Sequence, residues 1–371
     1  MRLILTVNAG FNLVNFRAGL IAALIADGHE LVALVPPSPQ DARLRAMGMA
    51  VEALPMDAKG MNPVADLALM ARMRRAFRQI RPDAVLSWTI KNNLYGALAA
   101  RPLGVPTLPN VTGLGTAFLG GGLTTRLVER LYRHAFGDPP VVFFQNDDDR
   151  ALFEARGLVR PEQAHGLPGS GVDLRRFGLT PLPESGPRFL MVSRLIHDKG
   201  VVEYVEAARH LARRHPRARC HLLGPRGAAN RTAIDDATLD AWLADGVVTW
   251  HDAVEDVRPH MAAADVVVLP SYREGRPRIL LEAAACGRPV VTTDVPGCRD
   301  AVRAGETGLL ARVRDAGDLA RAMAEMVEMG PDRRAEMGHA ARAFAEDAFD
   351  ERIVIDAYRT ALAQVQAAAA P

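Results

Sequence analysis

The chain has 371 residues and carries 45 Lys and Arg against 43 Asp and Glu, a formal net charge of +2. Hydrophobic residues account for 49% and charged residues for 24%, a composition that excludes a disordered chain, a collagen-like chain and a disulfide scaffold. The length is roughly twice that of an ordinary domain, so we expect two packed domains.

Cysteine usage and apolar runs bear on the cellular compartment. The chain has 3 cysteines, none in a metal-ligand spacing, which is typical of a protein in a reducing compartment. No apolar run reaches the length of a membrane span, and the initial MRLILTV is too short for a signal peptide. These features predict a cytoplasmic protein.

Positive charge is concentrated in the first half of the chain. Residues 1–180 hold 20 Lys and Arg against 15 Asp and Glu, and residues 70–134 hold 10 against only Asp83 and Glu129. Such a basic region favours a nucleic acid, an anionic membrane or a phosphate-bearing substrate, and a solvated helix face explains it equally well. Aromatic residues make up only 5%, too few for base stacking, which argues against a nucleic acid partner.

Short apolar segments alternate with helical patterns through the first half. They predict strands over residues 2–7, 29–35, 83–88, 106–112 and 140–145. Segments 63–80 and 123–136 have helical periodicity. Because the strands are apolar on both faces, we expect a parallel sheet covered by helices, as in a doubly wound α/β domain. The acidic run 147–149 opens a helix, where capping and dipole effects explain it better than a metal ion does.

A break in this pattern precedes a second domain of the same kind. Residues 179–187 contain three prolines and a glycine, which predicts a linker. Strands are then predicted over 188–194, 218–224, 247–253, 265–271, 289–295 and 308–313, before a helical tail. The predicted division is a first Rossmann-like domain over 1–180, a second over 181–348, and a final helix over 349–371, for which a return to the first domain stays open. Two such domains form a cleft where ligands bind at the carboxyl ends of the strands.

The loop SRLIHDKG, residues 193–200, is the first candidate site. It follows a predicted strand and precedes an amphipathic helix, so Arg194 and Lys199 lie beside a helix N-terminus. Backbone N–H groups and the helix dipole favour an anion there, and two cations suit a diphosphate. A Lys at a helix N-terminus opposes the dipole, which a bound anion explains; the alternative is an ordinary surface loop.

The segment SYREGRPRILLE, residues 271–282, is the second candidate site. Gly275 permits close backbone approach, and Pro277 suits the first turn of a helix. Glu282 lies within the apolar pattern ILLEAAA, where a carboxylate is costly unless hydrogen-bonded, and sugar hydroxyls are suitable donors. For Glu282 alone, a bond to a core backbone amide is the favoured alternative; paired with Glu274, the pattern favours a ligand.

These segments resemble glycosyltransferase family 4, whose members have the GT-B fold. Glu274 and Glu282 match the family's E-x7-E motif within SYREGRPRILLEAAACGRPVVTTDVPGCRDAV. The segments SRLIHDKG and GLPGSGVDLRRF also match, in the family's order. In the first half, NFRAGLIAALIADGHEL, SWTIKNNLYGALAA, NVTGLGTAF and VFFQNDDDRALF are similar to bacterial enzymes that extend polyprenyl-diphosphate-linked sugars in surface polysaccharide and glycan assembly.

The resemblance implies transfer of a hexose or N-acetylhexosamine from a UDP-sugar with retention of configuration, and no metal or other cofactor. It implies front-face attack, in which a donor phosphate oxygen takes the acceptor's proton. Arg194 and Lys199 would neutralise the UDP diphosphate, Glu274 would hold the donor sugar, and Glu282 would bind the ribose hydroxyls. The donor-binding set implied is Ser193, Gly275, Pro277, Arg278, Ile279 and Glu282.

Acceptor contacts are predicted in the first domain. Many family members carry a His near the end of the strand that here reads PNVTG, and since this chain has Asn110 and Thr112 there, we assign no catalytic His. Arg17 and Lys91 lie at the ends of predicted strands and are expected to meet the acceptor diphosphate, and Thr112 is also expected to bind the acceptor. The apolar, glycine-rich segment 114–123, with Phe118, is expected to dip into the anionic inner face of the cell membrane. The alternative for that segment is a plain flexible loop.

Two other functions share some of these features. A UDP-sugar 2-epimerase of the same fold would use the nucleotide site without a lipid acceptor, and the basic region 70–134 argues against it. A non-catalytic binding protein would not need the residues that are expected to bind the phosphates and the sugar hydroxyls, and these residues are intact in this chain.

Overall fold

The computed structural model describes residues 1–57, 62–114, 122–184, 186–228 and 230–369. Contacts divide the chain into two compact units, one comprising Met1–Ser170 with Glu351–Pro371 and the other Gly171–Asp350. Each unit contains its own parallel β-sheet.

The first unit is built on a seven-stranded parallel sheet with the order β3-β2-β1-β4-β5-β6-β7. Its strands are β1 Arg2–Thr6, β2 Glu30–Val35, β3 Ala50–Ala53, β4 Ala84–Trp88, β5 Thr107–Val111, β6 Val142–Phe144 and β7 Ala164–Gly166. The five predicted strands are confirmed. The sequence did not predict β3 and β7, because these short edge strands are largely exposed and lack an apolar run.

Helices cover the strands of this first sheet. They are α1 Gly10–Phe16, α2 Ala18–Ala26, α3 Asp41–Ala46, α4 Pro63–Ile80, α5 Ile90–Ala100, α6 Gly122–Ala135, α7 Asp147–Ala155 and, from the far end of the chain, α14 Glu351–Ala369. The central strands β4 and β5 are buried along their whole length. This burial explains why their sequences are mainly apolar, with Ser87, Thr107 and Asn110 as the polar residues.

The second unit has a six-stranded parallel sheet with the order β10-β9-β8-β11-β12-β13. The strands are β8 Arg188–Val192, β9 Arg219–Leu223, β10 Thr249–His251, β11 Val266–Leu269, β12 Val290–Thr293 and β13 Gly308–Ala311, each within a predicted segment. The helices are α8 Val201–Arg214, α9 Asp236–Ala244, α10 Arg258–Ala262, α11 Arg278–Ala285, α12 Ala316–Glu328 and α13 Gly330–Ala348. The order places β8 beside β11, although these strands are far apart in the sequence.

The division between the units falls at Ser170/Gly171, ten residues before the predicted boundary at 180/181. Residues that follow Gly171 belong to the second unit because the N–H of Val172 donates to the carbonyl oxygen of Phe349 at 2.8 Å. The guanidinium of Arg288, which is fully buried, donates to the carbonyl oxygen of Thr180 at 2.7 Å and to that of Pro181 at 2.8 Å. The start of the proline-rich segment is therefore held against the second unit.

The final helix α14 is part of the first unit. It packs against α2, and its Arg359 Nε donates to Asp27 Oδ2 at 2.7 Å. A Cβ on Gly19 would lie 2.2 Å from a carboxylate oxygen of Glu351, so the start of α14 is in close contact with α2. The chain thus leaves the first unit once and returns to it with one helix.

Candidate functional site

The loop over 193–200 begins where β8 ends. The N–H of Ser193 donates to the carbonyl oxygen of Leu223 at 3.0 Å, which ties the start of the loop to β9. A Cβ on Gly224 would lie 1.9 Å from the Ser193 carbonyl oxygen, so only glycine fits beside the loop. Within the loop, His197–Lys199 form a single 3-10 turn before α8.

Gly200 brings this loop to the carboxyl end of β11. Its φ is +72°, in the left-handed region, and a Cβ there would lie 2.1 Å from the carbonyl oxygen of Pro270. The N–H of Tyr272 donates to the carbonyl oxygen of Asp198 at 2.9 Å. The two predicted sites therefore meet at the edge where β8 and β11 end.

The Lys199 ammonium donates to the Oε1 atom of Glu274. The Ser271 hydroxyl donates to the same oxygen at 2.7 Å, and both charged side chains are largely buried, with 21% of Lys199 and 13% of Glu274 exposed. This contact corrects one step of the sequence argument. Glu274 already compensates the charge of Lys199, so its place beside a helix N-terminus does not require a bound anion.

The backbone around Glu274 is fixed by the loop that follows β12. The N–H of Glu274 donates to the Pro296 carbonyl oxygen at 3.2 Å. Gly297 has a φ of +81°, and a Cβ there would lie 2.5 Å from the carbonyl oxygens of Glu274 and Gly275. The sequence analysis assigned no role to Ser271 or Gly297. Ser271 could have been recognised as a candidate partner of Glu274, because it lies only three residues before it.

Helix α11 carries the second carboxylate of the motif. Pro277 is the N-cap residue, one position before the predicted first turn, and α11 starts at Arg278. The Arg278 Nε donates to Glu282 Oε1 at 2.7 Å, an i,i+4 ion pair in which 16% and 12% of the side chains are exposed. Burial raises the pKa of Glu282, whereas Arg278 and Arg176 oppose this rise. The partner of Glu282 is thus an arginine side chain and not the core amide weighed above.

The remaining predicted donor-site residues differ in exposure. Arg194 is exposed, and within the described ranges its side chain makes no hydrogen bond or ion pair. Ser193 and Ile279 are partly buried, and Gly275 is buried. The structure therefore brings the loop over 193–200, Glu274 and the start of α11 together within one unit.

The predicted acceptor residues have different surroundings. Lys91 Nζ donates to Asp66 Oδ1 at 2.7 Å, and the hydroxyl of Tyr95 donates to the other Asp66 oxygen at 3.0 Å. The charge of Lys91 is thus compensated by a largely buried carboxylate. Arg17 is buried, and its guanidinium carbon lies 5.1 Å from the ring centre of Trp88. A role for either residue toward a diphosphate stays a prediction.

Thr112 follows β5 and is partly buried. Two positions earlier, the Asn110 amide donates to the hydroxyl of Tyr358, on α14, at 3.1 Å. Sequence reasoning missed Tyr358, because nothing in the periodicity of α14 links it to β5. The segment around Phe118 lies outside the described residues.

The acidic run at 147–149 opens α7, as predicted. Asn146 caps the helix by accepting a hydrogen bond from the N–H of Asp149 at 2.7 Å. Among the residues described, no cluster of His, Cys, Asp and Glu has the arrangement of a metal site. Within the same ranges, no helix is both long and apolar enough to cross a membrane.

Comparisons with known proteins match both units. The family described as "Glycosyl transferase 4-like domain" matches residues 15–170, and "Glycosyl transferases group 1" matches residues 186–329. Together these two matches span most of the chain, including the two candidate segments in the second unit.

Individual relatives agree with these matches. The Campylobacter jejuni N,N'-diacetylbacillosaminyl-diphospho-undecaprenol alpha-1,3-N-acetylgalactosaminyltransferase is 28% identical, over 96% of this chain and 97% of its own. A putative colanic acid biosynthesis glycosyltransferase of Escherichia coli, WcaL, is 31% identical over 52% of this chain and 50% of its own.

Solved structures show the fold. Alr3699/HepE from Anabaena, crystallised with UDP, has a TM-score of 0.79 at 19% identity and covers 98% of this chain and 100% of its own. A glycosyltransferase from Rickettsia africae has a TM-score of 0.77 at 16% identity, covering 98% of each chain. The two Rossmann-like units, the helical tail, the E-x7-E segment and both family matches lead to one conclusion: the chain belongs to the group 1, family 4-like glycosyltransferases of the GT-B fold.

Proposed function

We propose that this protein is a retaining glycosyltransferase that moves a hexose or N-acetylhexosamine from a UDP-sugar to a polyprenyl-diphosphate-linked sugar. The observation that carries the proposal is the contact between Lys199 and Glu274, which joins the loop over 193–200 to the E-x7-E segment. The name of the Campylobacter relative, which aligns over nearly the whole chain, supports a lipid-linked diphosphate acceptor. UDP is the first nucleotide to test, because HepE was crystallised with it.

The second unit supplies the groups that such a donor needs. Arg194 and Lys199 place two cations where the UDP diphosphate gains charge as it leaves. Glu274 and Glu282 are carboxylates that accept hydrogen bonds from sugar and ribose hydroxyls. Glu274 exchanges its bond to Lys199 for a hydroxyl when the donor binds, which frees the ammonium for the diphosphate. The cost of parting this pair is offset because each partner gains an oppositely charged or hydrogen-bonding ligand group.

The proposed reaction needs no nucleophile from the protein. The acceptor oxygen forms a bond to C1 of the donor sugar on the face from which UDP departs, and the bond between C1 and the diphosphate oxygen breaks. The electron pair leaves with UDP, and a phosphate oxygen of UDP takes the acceptor's proton. Arg194, Lys199 and the N-terminus of α11 take the place of a metal ion in stabilising the leaving group, so we propose that no metal is required.

The first unit offers a basic surface for the anionic acceptor and its membrane. On α6, the exposed residues Arg126, Leu127 and Arg130 form a basic stripe with one large apolar side chain, of which 60% is exposed. Arg130, Arg133 and His134 line a wide, open depression of about 480 Å³. A stripe of this kind is attracted to an anionic bilayer, and we propose peripheral association with the inner face of the cell membrane. No nucleic acid partner is proposed.

The decisive experiment is a panel of UDP-sugars incubated with a synthetic prenyl-diphosphate sugar and read by product mass. We expect one donor to add a single hexose or N-acetylhexosamine unit. NMR of the product should show that the anomeric configuration of the donor is retained. Parallel reactions with a chelator test whether a metal ion is required. We expect the chelator to leave the rate of sugar transfer unchanged. If no donor yields a product on any prenyl-diphosphate sugar, the proposal is wrong.

A reaction that contains only the donor separates transfer from epimerisation. A glycosyltransferase leaves the UDP-sugar intact or hydrolyses it slowly, whereas an epimerase converts it to an isomer of equal mass that chromatography resolves. Rapid isomerisation without an acceptor would contradict the proposed function.

A further inference from the structure

The hydroxyl of Tyr358 links α14 to β5, the strand that directly precedes Thr112. Asn110 Nδ2 donates to this hydroxyl at 3.1 Å, across 248 positions of sequence. Both residues are almost completely buried, with 1% of Asn110 and none of Tyr358 exposed. A buried hydrogen bond of this kind is costly to lose, because the remaining partner is left without water or a substitute.

Asn110 is the centre of a polar network at one end of the first sheet. Its Oδ1 atom accepts from Gln145 Nε2 at 3.2 Å, and its carbonyl oxygen accepts from Asn93 Nδ2 at 2.8 Å. Asn93 in turn accepts from the Ser87 hydroxyl at 2.9 Å. These side chains belong to the carboxyl ends of β4, β5 and β6 and to the first turn of α5. Ligands of doubly wound sheets bind at this end.

Tyr358 also packs against Phe143 and against Trp88, the ring on which Arg17 stacks. Its ring centre lies 5.9 Å from that of Trp88 and 4.7 Å from that of Phe143. Arg17 stacks on Trp88 and acts electrostatically on the Tyr358 phenol, whose pKa burial raises to about 12. The phenol therefore stays protonated at neutral pH and is a constant hydrogen-bond partner.

We propose that Tyr358 is a positioning residue for the acceptor side of the transferase: it holds Asn110, and with it the end of β5, in the geometry that acceptor turnover requires. Burying a polar side chain in a core is costly unless it is hydrogen-bonded. A connected network of five such side chains at this place therefore indicates a function that apolar packing would not serve. The inference rests on the proposed function, and it assigns α14 a role beyond packing.

The test is Tyr358→Phe, which removes one oxygen and keeps the ring. We expect kcat/KM for the prenyl-diphosphate acceptor to fall about tenfold, while UDP binding measured by calorimetry is unchanged because the donor residues lie in the other unit. Tyr132→Phe is the matched control, since Tyr132 is also a buried aromatic residue of the first unit. It is expected to keep wild-type constants.

A double-mutant cycle separates positioning from general stability. In an Asn110→Ala background, Tyr358→Phe should cause no further loss of acceptor turnover, because the two changes remove the same interaction. Additive losses, a loss equal to that of Tyr132→Phe, or wild-type constants for Tyr358→Phe would overturn the inference and leave the proposed function intact. A wild-type protein that transfers no sugar would contradict the proposed function instead.

Should Tyr358→Phe fail to fold, which circular dichroism would show, Gln145→Leu provides a second measurement. It removes the other side-chain partner of Asn110, which directly follows β6. A fall in acceptor kcat/KM with unchanged UDP affinity supports the inference, and unchanged acceptor kinetics overturns it.

Discussion

Lys199 and Glu274 form an ion pair between residues 75 positions apart, and Ser271 donates to the same carboxylate oxygen. The pair exists because β8 and β11 are neighbours in the second sheet, so that the loops following them share one edge. It gives each residue a partner before any ligand binds. A donor that binds as proposed must therefore compete with this pair for both side chains.

Removing either cation of the loop tests the diphosphate assignment. Lys199→Ala and Arg194→Ala should each lower kcat by about a hundredfold, as expected for loss of one preorganised electrostatic group. The control is His197→Ala, an exposed residue in the same loop, which should retain activity. Release of UDP measures the rate. Wild-type turnover in both cation variants would show that the site is elsewhere.

Gly200→Ala tests the contact between the loop and β11. The new Cβ would lie 2.1 Å from the Pro270 carbonyl oxygen, so the loop must move, at a cost of roughly 2–3 kcal/mol beyond the strain of a left-handed alanine. Gly246→Ala is the matched control, with a φ of +68° and open space around it. We expect weaker UDP binding only in Gly200→Ala. Equal denaturant midpoints for the two variants would contradict the steric argument.

The buried carboxylate of Glu282 makes stability depend on pH. Burial raises its pKa above the ordinary value of 4.5, so the folded state binds this proton more tightly than the unfolded state does. The free energy of unfolding contributed by this group therefore decreases as pH rises from about 4.5 through the folded-state pKa.

In Glu282→Gln this titration is absent. The stability of the variant relative to the wild type should thus increase between pH 4.5 and pH 7, as measured by chemical denaturation at both values. The same variant should bind UDP more weakly at pH 7, because an amide accepts ribose hydroxyls less strongly than a carboxylate does. A pH-independent stability difference would contradict the raised pKa.

Arg288 is expected to be a large determinant of stability. It is fully buried and donates to five backbone carbonyl groups, including Thr180, Pro181 and Met261. Arg288→Lys retains the charge but cannot reach all these acceptors, and we expect a loss of about 3 kcal/mol. The control Arg312→Lys changes a side chain that is 76% exposed and should shift stability by less than about 0.5 kcal/mol. Thermal denaturation compares the two.

Charge reversal on α6 tests the membrane surface. Arg126→Glu combined with Arg130→Glu should abolish flotation with vesicles that contain anionic phospholipid, since each basic residue near such a surface contributes about 1 kcal/mol. Added salt should weaken wild-type binding in the same way. Arg213→Glu with Arg217→Glu, two exposed positions in the second unit, gives the same net charge and should still bind. Equal flotation of both double variants would reject α6 as the contact.

The sequence by itself determined the two α/β units, and it predicted the residues of a candidate donor site within the second unit. Apolar runs flanked by turn residues are local signals, so in the part of the chain that the structure describes eleven strands were found by pattern, and only the exposed edge strands β3 and β7 were missed. The spacing of Glu274 and Glu282 is equally local, since Glu274 lies four residues before the start of α11 and Glu282 lies within that helix.

The tertiary structure decided which of these groups meet. Strand order is absent from the sequence, so the contact of Lys199 with Glu274, and the neutralisation of Lys91 by Asp66, were not predictable from charge patterns. The same holds for Tyr358, whose helix repeats an ordinary amphipathic pattern. Local periodicity encodes how a segment folds, whereas the pairing of distant side chains depends on how complete elements pack against one another.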